Sequence, residues 1–334
     1  MEIAVFGSGG WGTALAVLLH QNGHQVTLWS HTEEESCILR QKRENPLLPG
    51  VALPEMTFTS DPASARGKQL VVVASPSFAV RATAQAIAPH LGRDVILVSV
   101  AKGIERGTSL RMSQIVESVT GKQVAVLSGP SHAEEVGRGI PTGCVAASRD
   151  LKTAQTVQDV FMNERFRVYS SPDVVGVALG AALKNVIALG AGICDGMGFG
   201  DNTKALLMTR GLTEIARLGM ALGARQDTFA GLAGVGDLIV TCTSMHSRNR
   251  RAGILIGQGE TPAQAMKEVG AVVEGYYATA SAMELAKKVG VEMPITEATY
   301  AVLYEGVAVG QMQQSLMTRT RTTEVHAIED SGWN

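Results

Sequence analysis

The stretch IAVFGSGGWG, residues 3–12, joins a short apolar run to a glycine-rich loop. The loop has the spacing G-x-G-x-x-G at Gly7, Gly9 and Gly12, and a helical pattern follows it. In this context the spacing is typical of dinucleotide binding, because the glycines permit a tight turn, close approach of a pyrophosphate and close packing of helix on strand. The pyrophosphate then lies at the helix N-terminus. The alternative is a glycine-rich turn without a ligand.

Strand-like and helix-like segments alternate outward from this loop. Apolar, β-branched runs predict strands at residues 3–6, 25–29, 70–74, 95–100 and 124–127, continued at 143–147 and 166–169. Helical patterns lie between them, for example at 13–21 and 77–87. Several runs are apolar throughout, as strands buried on both faces are. The alternation predicts an α/β fold with a parallel, doubly wound, Rossmann-type sheet.

The pattern changes near residues 171–173. Helical periods rich in Ala, Leu and Gly follow almost to the end of the chain, without a convincing strand. We therefore predict a dinucleotide-binding domain over residues 1–172 and an all-α domain, expected to bind the substrate, over residues 173–334. From Arg319 onward the chain is polar, and we expect this tail to fray.

The composition argues against several classes of protein. The chain has 334 residues, of which 45% are hydrophobic and 18% charged, as in globular proteins with room for two cores. A net charge of −2 without a Lys/Arg block argues against nucleic-acid binding. The start lacks a basic segment before its apolar run, so we expect no signal peptide. The widely spaced cysteines fit reduced thiols in a cytoplasmic protein better than disulfides or a metal site: Cys37, Cys144, Cys194 and Cys242.

The run VALGAALKNVIALGAG, residues 177–192, is apolar or glycine except at Lys184 and Asn185. Three interpretations compete: a membrane span, a core helix whose lysine reaches the surface, and a cleft lysine with a depressed pKa. A lysine in the middle of a span adds about 2.5 to 3.5 kcal/mol to membrane insertion. This cost argues against an integral membrane span.

Polar groups interrupt apolar or glycine-rich runs at three further places. In SVAKGIE, Lys102 follows a predicted strand, at the end where doubly wound sheets bind ligands. The turn SGPS follows the next strand and can offer backbone N–H groups. The segment GVGDLIVTCTSMHSRNRRAG carries Asp237 and Thr241, and then the sequence Ser-Arg-Asn at residues 247–249, where a helix is predicted to begin.

Each of these groups also has a plainer interpretation, as a surface lysine, a turn or a helix cap with solvated charges. Taken together they suit a small phosphorylated alcohol. An arginine can bind phosphate with two hydrogen bonds, and a lysine can take the hydroxyl proton as hydride leaves the carbon.

The residues after the second strand bear on the choice of dinucleotide. NAD sites usually carry Asp or Glu there to bind the ribose 2′-hydroxyl, whereas this chain has Ser30 and His31. The basic residues Arg40, Lys42 and Arg43 fit either a 2′-phosphate site or a solvated helix face. NADP and NAD both stay open as the cofactor.

Five motifs resemble those of the bacterial NAD(P)-dependent sn-glycerol-3-phosphate dehydrogenases, over nearly the whole chain: GSGGWGTALA, SVAKGIE, SGPS, GAALKNVIALGAGICDGMGFG and GVGDLIVTCTSMHSRNRRAG. The last two motifs are highly specific to that family. The resemblance implies interconversion of sn-glycerol 3-phosphate and dihydroxyacetone phosphate by hydride transfer with NAD(P)(H), which supplies glycerol 3-phosphate for phospholipid synthesis.

The resemblance also implies roles for single residues. Lys184 resembles the family's proton acceptor, and we expect catalytic roles for Lys184, Lys102 and Asp237. The positions expected to contact substrate are Lys102, Gly129, Ser131, Lys184, Asp237, Ser247, Arg248 and Asn249. The positions expected to contact the cofactor are Gly7, Gly9, Gly10, Trp11, Gly12, His31, Lys102, Ala133, Arg248, Val272 and Glu274. Gly10 stands where relatives often have serine, so a hydroxyl contact would be lost there.

This function gives Lys184 a purpose. We expect apolar walls and the charge of Lys102 to lower its pKa toward that of a general base, with Asn185 and Asp237 orienting the amine. We also expect small side chains on the same helix face to leave a recess for a three-carbon substrate: Gly180, Ala181, Ile187, Ala188 and Ala191.

Two other functions stay open. A related two-domain dehydrogenase of the 6-phosphogluconate or ketopantoate type would leave the Ser-Arg-Asn segment at 247–249 unexplained. A dinucleotide sensor without turnover would need a partner surface or a DNA-binding element. The apolar C-terminal helices fit either a homodimer interface or a core.

Overall fold

A computed structural model of the chain describes residues 1–321 and Glu324, so the tail expected to fray from Arg319 onward lies mostly outside the described residues. Each predicted strand is present, with ends within two residues of the prediction. The strands in the described residues are β1 (Glu2–Phe6), β2 (Gln25–Trp29), β3 (Glu44–Asn45), β4 (Leu48–Ala52), β5 (Thr57–Thr59), β6 (Leu70–Val73), β7 (Ile96–Ser99), β8 (Val124–Ser128), β9 (Thr142–Ala147) and β10 (Phe166–Ser171).

The helices between and after these strands follow the predicted alternation. Within the same residues they are α1 (Gly10–Gln21), α2 (Glu33–Lys42), α3 (Val80–Ile87), α4 (Met112–Thr120), α5 (Ala133–Gly137), α6 (Leu151–Phe161), α7 (Val174–Gly196), α8 (Asp201–Ala221), α9 (Gln226–Phe229), α10 (Asp237–Thr243), α11 (Arg248–Gly257), α12 (Pro262–Val269), α13 (Glu274–Val289), α14 (Pro294–Tyr304) and α15 (Val309–Met317). A π-helical turn, Leu232–Gly236, precedes α10. From Val174 to Arg321 the structure has no strand, as predicted.

The larger sheet is mostly parallel. Within the described part of the chain its order is β10-β9-β8-β7-β6-β1-β2-β5. The predicted parallel, doubly wound sheet is confirmed, except that β9 pairs antiparallel with β8. The connection between these two strands holds only the short helix α5, which packs on α1 instead of crossing back over the sheet. The chain therefore returns at the carboxyl end of β8, and β9 runs in the opposite direction beside it.

Two hydrophobic clusters cover the two faces of this sheet. Along β1, Ile3 and Val5 belong to the cluster beneath α1 and α6, whereas Ala4 and Phe6 belong to the cluster beneath α3 and α4. Successive side chains of a strand point to opposite faces, so a strand covered on both faces has to be apolar at every position. This is the reason why the first strand is a continuous apolar run.

The hairpin formed by β3 and β4, together with the edge strand β5, was not predicted. These strands are two to five residues long and contain proline, glycine and charged residues, which strands generally avoid. The hairpin is fixed by tertiary contacts instead: Leu48 and Val51 belong to the core cluster that includes α1.

Helix α7 is the centre of the helical domain. It packs against α8, α10, α11, α13 and α14. Its length and hydropathy would allow a membrane span, and a bent pair of segments, Gln226–Thr243 with Arg248–Gly257, passes the same test together. However, 89% of the most apolar window of α7 is buried inside the protein. This burial identifies α7 as a core helix and agrees with the prediction against a span.

Helices α7 and α11 cross at unusually close range. Each carries a glycine pair spaced by four residues, Gly192 and Gly196 on α7 and Gly253 and Gly257 on α11. A side-chain carbon on any of the four would overlap a backbone carbonyl oxygen of the other helix. Small residues at this spacing let helix backbones approach each other. The crossing fixes α11 against the C-terminal part of α7.

The last strand ends at Ser171 and α7 begins at Val174. We propose that the two domains divide here, into residues 1–172 and 173–334.

Candidate active site

The crevice of the sheet lies where the strand order reverses, between β1 and β6. Ligands of doubly wound sheets bind at the carboxyl ends of the strands at this point. Gly7 follows β1 directly and has φ +130°, and a side-chain carbon there would lie 2.6 Å from the backbone of Ala74, which follows β6. Only glycine lets the two strand ends come this close.

The glycine loop has the features that a dinucleotide needs. Gly9 caps α1 without a side-chain hydrogen bond, and a side-chain carbon on Gly9 would meet nothing within 4 Å. In contrast, one on Gly12 would overlap the Gly7 carbonyl. The Trp11 indole Nε1 is buried and has no partner among the described residues. An open space at the N-terminus of a helix fits a pyrophosphate.

Other residues expected at the cofactor site lie along the same edge. Ala133 begins α5 beside Gly10, and His31 is an exposed residue that follows β2, with its ring 6.1 Å from that of Trp29. Buried serine hydroxyls without a partner in the described residues stand at the carboxyl ends of β2, β6, β7 and β8; they are Ser30, Ser75, Ser99 and Ser128.

One carboxylate joins the two lysines singled out in the sequence. Asp237 is fully buried, and its Oδ1 accepts a hydrogen bond from Lys184 Nζ. Its Oδ2 accepts one from Lys102 Nζ at 2.9 Å. Lys184 is almost fully buried, whereas the Lys102 side chain is 19% exposed. The sheet edge, α7 and α10 therefore meet at a single carboxylate.

Thr241 completes the surroundings of the Lys184 amine. Its hydroxyl accepts from Lys184 Nζ at 2.7 Å and donates to the Asp237 backbone carbonyl at 2.6 Å. The hydroxyl proton is used in the bond to this carbonyl, and a lone pair of the hydroxyl oxygen faces the lysine. Residues four apart share a helix face, which is why Asp237 and Thr241 both reach Lys184.

The cluster changes the proton affinity of its members. Burial lowers the pKa of Lys184 to about 8; Asp237 acts against this change and Lys102 adds to it. Burial acts to raise the pKa of Asp237, but the charges of Lys102 and Lys184 lower it below its usual value. Asp237 is therefore an anion at neutral pH. Lys184 can exchange a proton near neutral pH, as a general acid or base must.

The turn after β8 lies next to this cluster. The Gly129 carbonyl accepts from Lys102 Nζ at 3.4 Å and from the Ser131 hydroxyl at 3.0 Å. The structure thus brings together five of the residues expected to contact substrate: Lys102, Gly129, Ser131, Lys184 and Asp237.

The segment Ser-Arg-Asn at 247–249 begins α11, as predicted, but its side chains are used differently from one another. The Ser247 hydroxyl caps the helix by accepting from the Arg250 N–H at 3.2 Å. Asn249 is buried and bonds to the Asn185 side chain at 2.9 Å and to the Gly275 N–H at 2.7 Å. Arg248 is exposed, and its one hydrogen bond within the described residues is a long contact, 3.5 Å, to the Val272 carbonyl.

Arg248 and Val272 lie beside Glu274, the remaining residue expected at the cofactor site. The Glu274 carboxylate accepts from the Ser77 hydroxyl at 2.7 Å and so links the beginning of α13 to the loop after β6. Burial raises the pKa of Glu274, whereas the bonds from Ser77 and the charge of Arg248 act to lower it. This contact joins the two domains at the end of the crevice.

Two details expected around Lys184 are wrong. Asn185 does not orient the amine, because adjacent helix residues point in different directions and its side chain bonds to Asn249 instead. The recess beside Gly180 is filled by the π-helical turn, whose Ala233 carbonyl would overlap a side-chain carbon on Gly180. The other residues of that face are core: Ala181, Ile187, Ala188 and Ala191.

For some residues of the site, no role was predicted from the sequence. Thr241 was noted without a role, although its spacing of four from Asp237 could have indicated one. Ser77 and His132 were not singled out. The His132 ring lies 5.8 Å from that of His246, the residue that precedes the α11 cap. Single polar residues in loops have no periodic pattern, so the sequence gives little indication of them.

The family of the chain follows from its sequence relatives. Sequence models of the NAD-dependent glycerol-3-phosphate dehydrogenase N-terminus and C-terminus match residues 2–154 and 173–314. The chain belongs to the NAD-dependent glycerol-3-phosphate dehydrogenase family. It is 54% identical to the glycerol-3-phosphate dehydrogenase [NAD(P)+] of Moorella thermoacetica, over 99% of both chains. The crystal structure of glycerol-3-phosphate dehydrogenase from Coxiella burnetii is 36% identical, with a TM-score of 0.91, and the match covers 95% of this chain and 99% of the other.

The glycine loop of this dehydrogenase gives a first test. Gly9→Val should abolish binding of NADH and NADPH, because the side chain would occupy the space of the pyrophosphate. The backbone angles of Gly9, φ −63° and ψ 171°, suit valine, so the variant should fold. Fluorescence titration with each dinucleotide measures the loss.

Gly92→Val is a matched control, because a side-chain carbon at Gly92 also meets nothing within 4 Å. This variant should bind dinucleotide as the parent does. Normal titration by folded Gly9→Val would rule out the site.

Proposed function

We propose that the chain interconverts sn-glycerol 3-phosphate and dihydroxyacetone phosphate with NAD(P)(H), at the cluster of Lys102, Lys184 and Asp237. One observation carries this assignment to the site: a single buried carboxylate holds two lysines at the carboxyl ends of the strands, and one of them has a pKa of about 8. Family membership supports the reaction itself.

Lys184 moves the proton in this proposal. When glycerol 3-phosphate is oxidised, the neutral amine takes the proton of the C2 hydroxyl. When dihydroxyacetone phosphate is reduced, the ammonium gives a proton to the oxygen that develops negative charge at C2. Asp237 and Thr241 accept from the amine and leave one of its N–H directions for the substrate. Helix α7 holds the amine in place, so little reorganisation is needed during the reaction.

Lys102 and Asp237 set the charge around the substrate. With both lysines protonated, the cluster has a net charge of +1, from two ammonium groups and one carboxylate. This charge attracts an anionic substrate and stabilises negative charge on the C2 oxygen. Lys102 is the more exposed of the two lysines and can contact substrate directly, whereas Asp237 is enclosed and acts through the lysines.

The beginning of α11 is the proposed phosphate site. A helix N-terminus favours an anion, and the exposed guanidinium of Arg248 can add two charge-assisted hydrogen bonds. Ser247 and Asn249 support this site by holding the backbone of α11 in place. The Ser247 side chain caps the helix, and the Asn249 side chain joins it to α7 and α13. This is a narrower role than direct contact through both side chains.

The crevice would hold NADP or NAD along the glycine loop. When bound, the nicotinamide accepts or supplies the hydride. Gly7, Gly9, Gly10, Trp11 and Gly12 would hold the pyrophosphate. Toward the ends of the dinucleotide, the proposed contacts are His31, Lys102, Ala133, Arg248, Val272 and Glu274.

We extend the proposal to a cytoplasmic enzyme that supplies glycerol 3-phosphate for phospholipid synthesis. All four cysteines are free, which supports a reducing compartment. We also propose a homodimer through the helical domain, whose surface exposes large apolar side chains: Leu206, Met220, Tyr277 and Met317.

A turnover assay tests the proposed reaction against its alternatives. The chain should consume NADPH or NADH with dihydroxyacetone phosphate, followed by the loss of nicotinamide absorbance, and should be far slower with ketopantoate or with 6-phosphogluconate and NADP. A dinucleotide sensor would bind the cofactor without turnover of any of these substrates.

Lys184→Met tests the proton transfer. The variant should fold, because Asp237 keeps its pair with Lys102, and it should lose about 10² to 10⁴ in kcat, the usual range for general acid–base catalysis. Lys204→Met is the control, since Lys204 is also paired with an aspartate, Asp195, in the helical domain. The control should retain most of the parent's turnover. If Lys184→Met does so too, Lys184 is not the base.

The pKa of Lys184 predicts opposite pH profiles for the two directions. Oxidation needs the neutral amine, so kcat/KM should rise as the pH increases through about 8, and reduction should fall over the same range. Asp237 acts to raise the pKa of Lys184, so both limbs should move to lower pH in Asp237→Asn. The pH dependence of kcat/KM in both directions measures this, and limbs that stay in place in Asp237→Asn would contradict it.

Arg248→Ala tests the phosphate site. Hydrogen bonds to charged groups contribute roughly 1.5 to 3 kcal/mol each, so kcat/KM for dihydroxyacetone phosphate should fall by about 10²-fold or more. The loss should be much smaller for unphosphorylated dihydroxyacetone, which has no anion to bind. Equal proportional losses for the two substrates would mean that Arg248 does not bind the phosphate.

A further inference from the structure

Asn45 is a buried polar residue that no step of the proposed reaction uses. It lies in β3, in the hairpin that packs over the glycine loop, and is 4% exposed. Its Nδ2 donates to the Ser8 carbonyl at 2.8 Å and to the Thr13 hydroxyl at 2.6 Å. Its Oδ1 accepts from the Leu47 N–H at 2.9 Å. Both ends of the amide are therefore engaged.

The Ser8 carbonyl belongs to the peptide group between the first two glycines of the loop. It also accepts from the Thr13 hydroxyl at 3.2 Å, so donors from the hairpin and from α1 converge on one oxygen. A trans peptide is planar, with its N–H opposite to its C=O. Holding the Ser8 oxygen therefore fixes the direction of the Gly9 N–H, on the side of the peptide facing away from the hairpin.

The hairpin also comes very close to the next residue of the loop. A side-chain carbon on Gly10 would lie 2.6 Å from the Leu47 carbonyl oxygen. Any residue with a side chain at this position would therefore require the hairpin to shift. In this chain the loop is held by Asn45 from one side, while glycine at residue 10 makes room for the hairpin that carries Asn45.

We propose that Asn45 is a positioning residue for the dinucleotide: it fixes the Ser8–Gly9 peptide so that the loop N–H groups face the pyrophosphate before the cofactor arrives. Without this tether the loop would have to be ordered on binding, which weakens affinity. The inference rests on the proposed function only for the identity of the ligand, a pyrophosphate-bearing dinucleotide.

Asn45→Ala is the main test, with NADH as the probe. The Kd for NADH, measured by fluorescence titration, should rise about tenfold, the size expected when one or two buried hydrogen bonds are lost. In steady-state assays the KM for NADH should rise by a similar factor, while kcat and the KM for dihydroxyacetone phosphate stay close to those of the parent. Hydrogen exchange in the protein without cofactor should become faster at the amides of residues 8–13.

Two variants separate the tether from general destabilisation. Asn45→Asp keeps the size and the acceptor but loses the N–H donors, so it should bind NADH at least as weakly as Asn45→Ala. Asn163→Ala is the matched control, because Asn163 also makes three hydrogen bonds in the same domain, at 2.8 to 2.9 Å: it donates to the Asn22 side chain and accepts from two backbone N–H groups. It should lower the Tm without raising the Kd for NADH.

Thr13→Val serves if the variants at residue 45 fail to fold. It removes the second donor to Ser8 with little change in shape, and should raise the Kd for NADH by about two- to fivefold. The proposal is overturned if Asn45→Ala binds NADH as Asn163→Ala does, if Asn45→Asp binds it normally, or if Thr13→Val binds it normally. Turnover of dihydroxyacetone phosphate by the parent is measured separately, so failure of the proposed reaction is distinguishable from failure of the tether.

Discussion

The geometry of the site depends on one buried carboxylate. Asp237 has no exposure to water, and two ammonium groups on two other segments of the chain stabilise its charge. A buried charge left without a partner destabilises a protein by several kcal/mol, so these three segments are constrained to meet. The sheet edge contributes Lys102, α7 contributes Lys184 and α10 contributes the carboxylate. A contact that stabilises the fold is thus also the contact that sets the chemistry.

Close backbone packing extends this constraint to the rest of the site. The glycine pairs of α7 and α11 leave no room for adjustment between these helices, and α11 begins at the proposed phosphate site. The bonds of Asn249 to Asn185 and Gly275 extend the same frame to α13, which begins at Glu274. Backbone packing therefore fixes the beginning of α11, the proposed phosphate site, relative to the helix that carries Lys184.

Much of this arrangement could be predicted from the sequence, for physical reasons. The glycine loop and the apolar strands have local periods, and Lys184 was conspicuous because an ammonium interrupted an apolar helix. The antiparallel direction of β9 could not be predicted, because it depends on where α5 packs. The recess expected beside Gly180 was wrong because a π-helical turn distant in sequence fills it. Asn45 was missed because a short hairpin residue has no pattern to indicate that it reaches Ser8.

The reversed strands at the end of the sheet determine what kind of base Lys184 is. Ser171 at the end of β10 lies level with Ala147, which pairs with Val126 in the middle of β8, so the chain leaves the sheet below its carboxyl edge. The first ten residues of α7 then climb to the crevice, and Lys184 lies near the helix centre with hydrogen-bonded turns on both sides. Most catalytic groups at such crevices are carried by loops, which can swing. Here the base lies on a core helix, so any closure of the crevice has to move the surrounding loops toward the lysine and not the lysine toward them.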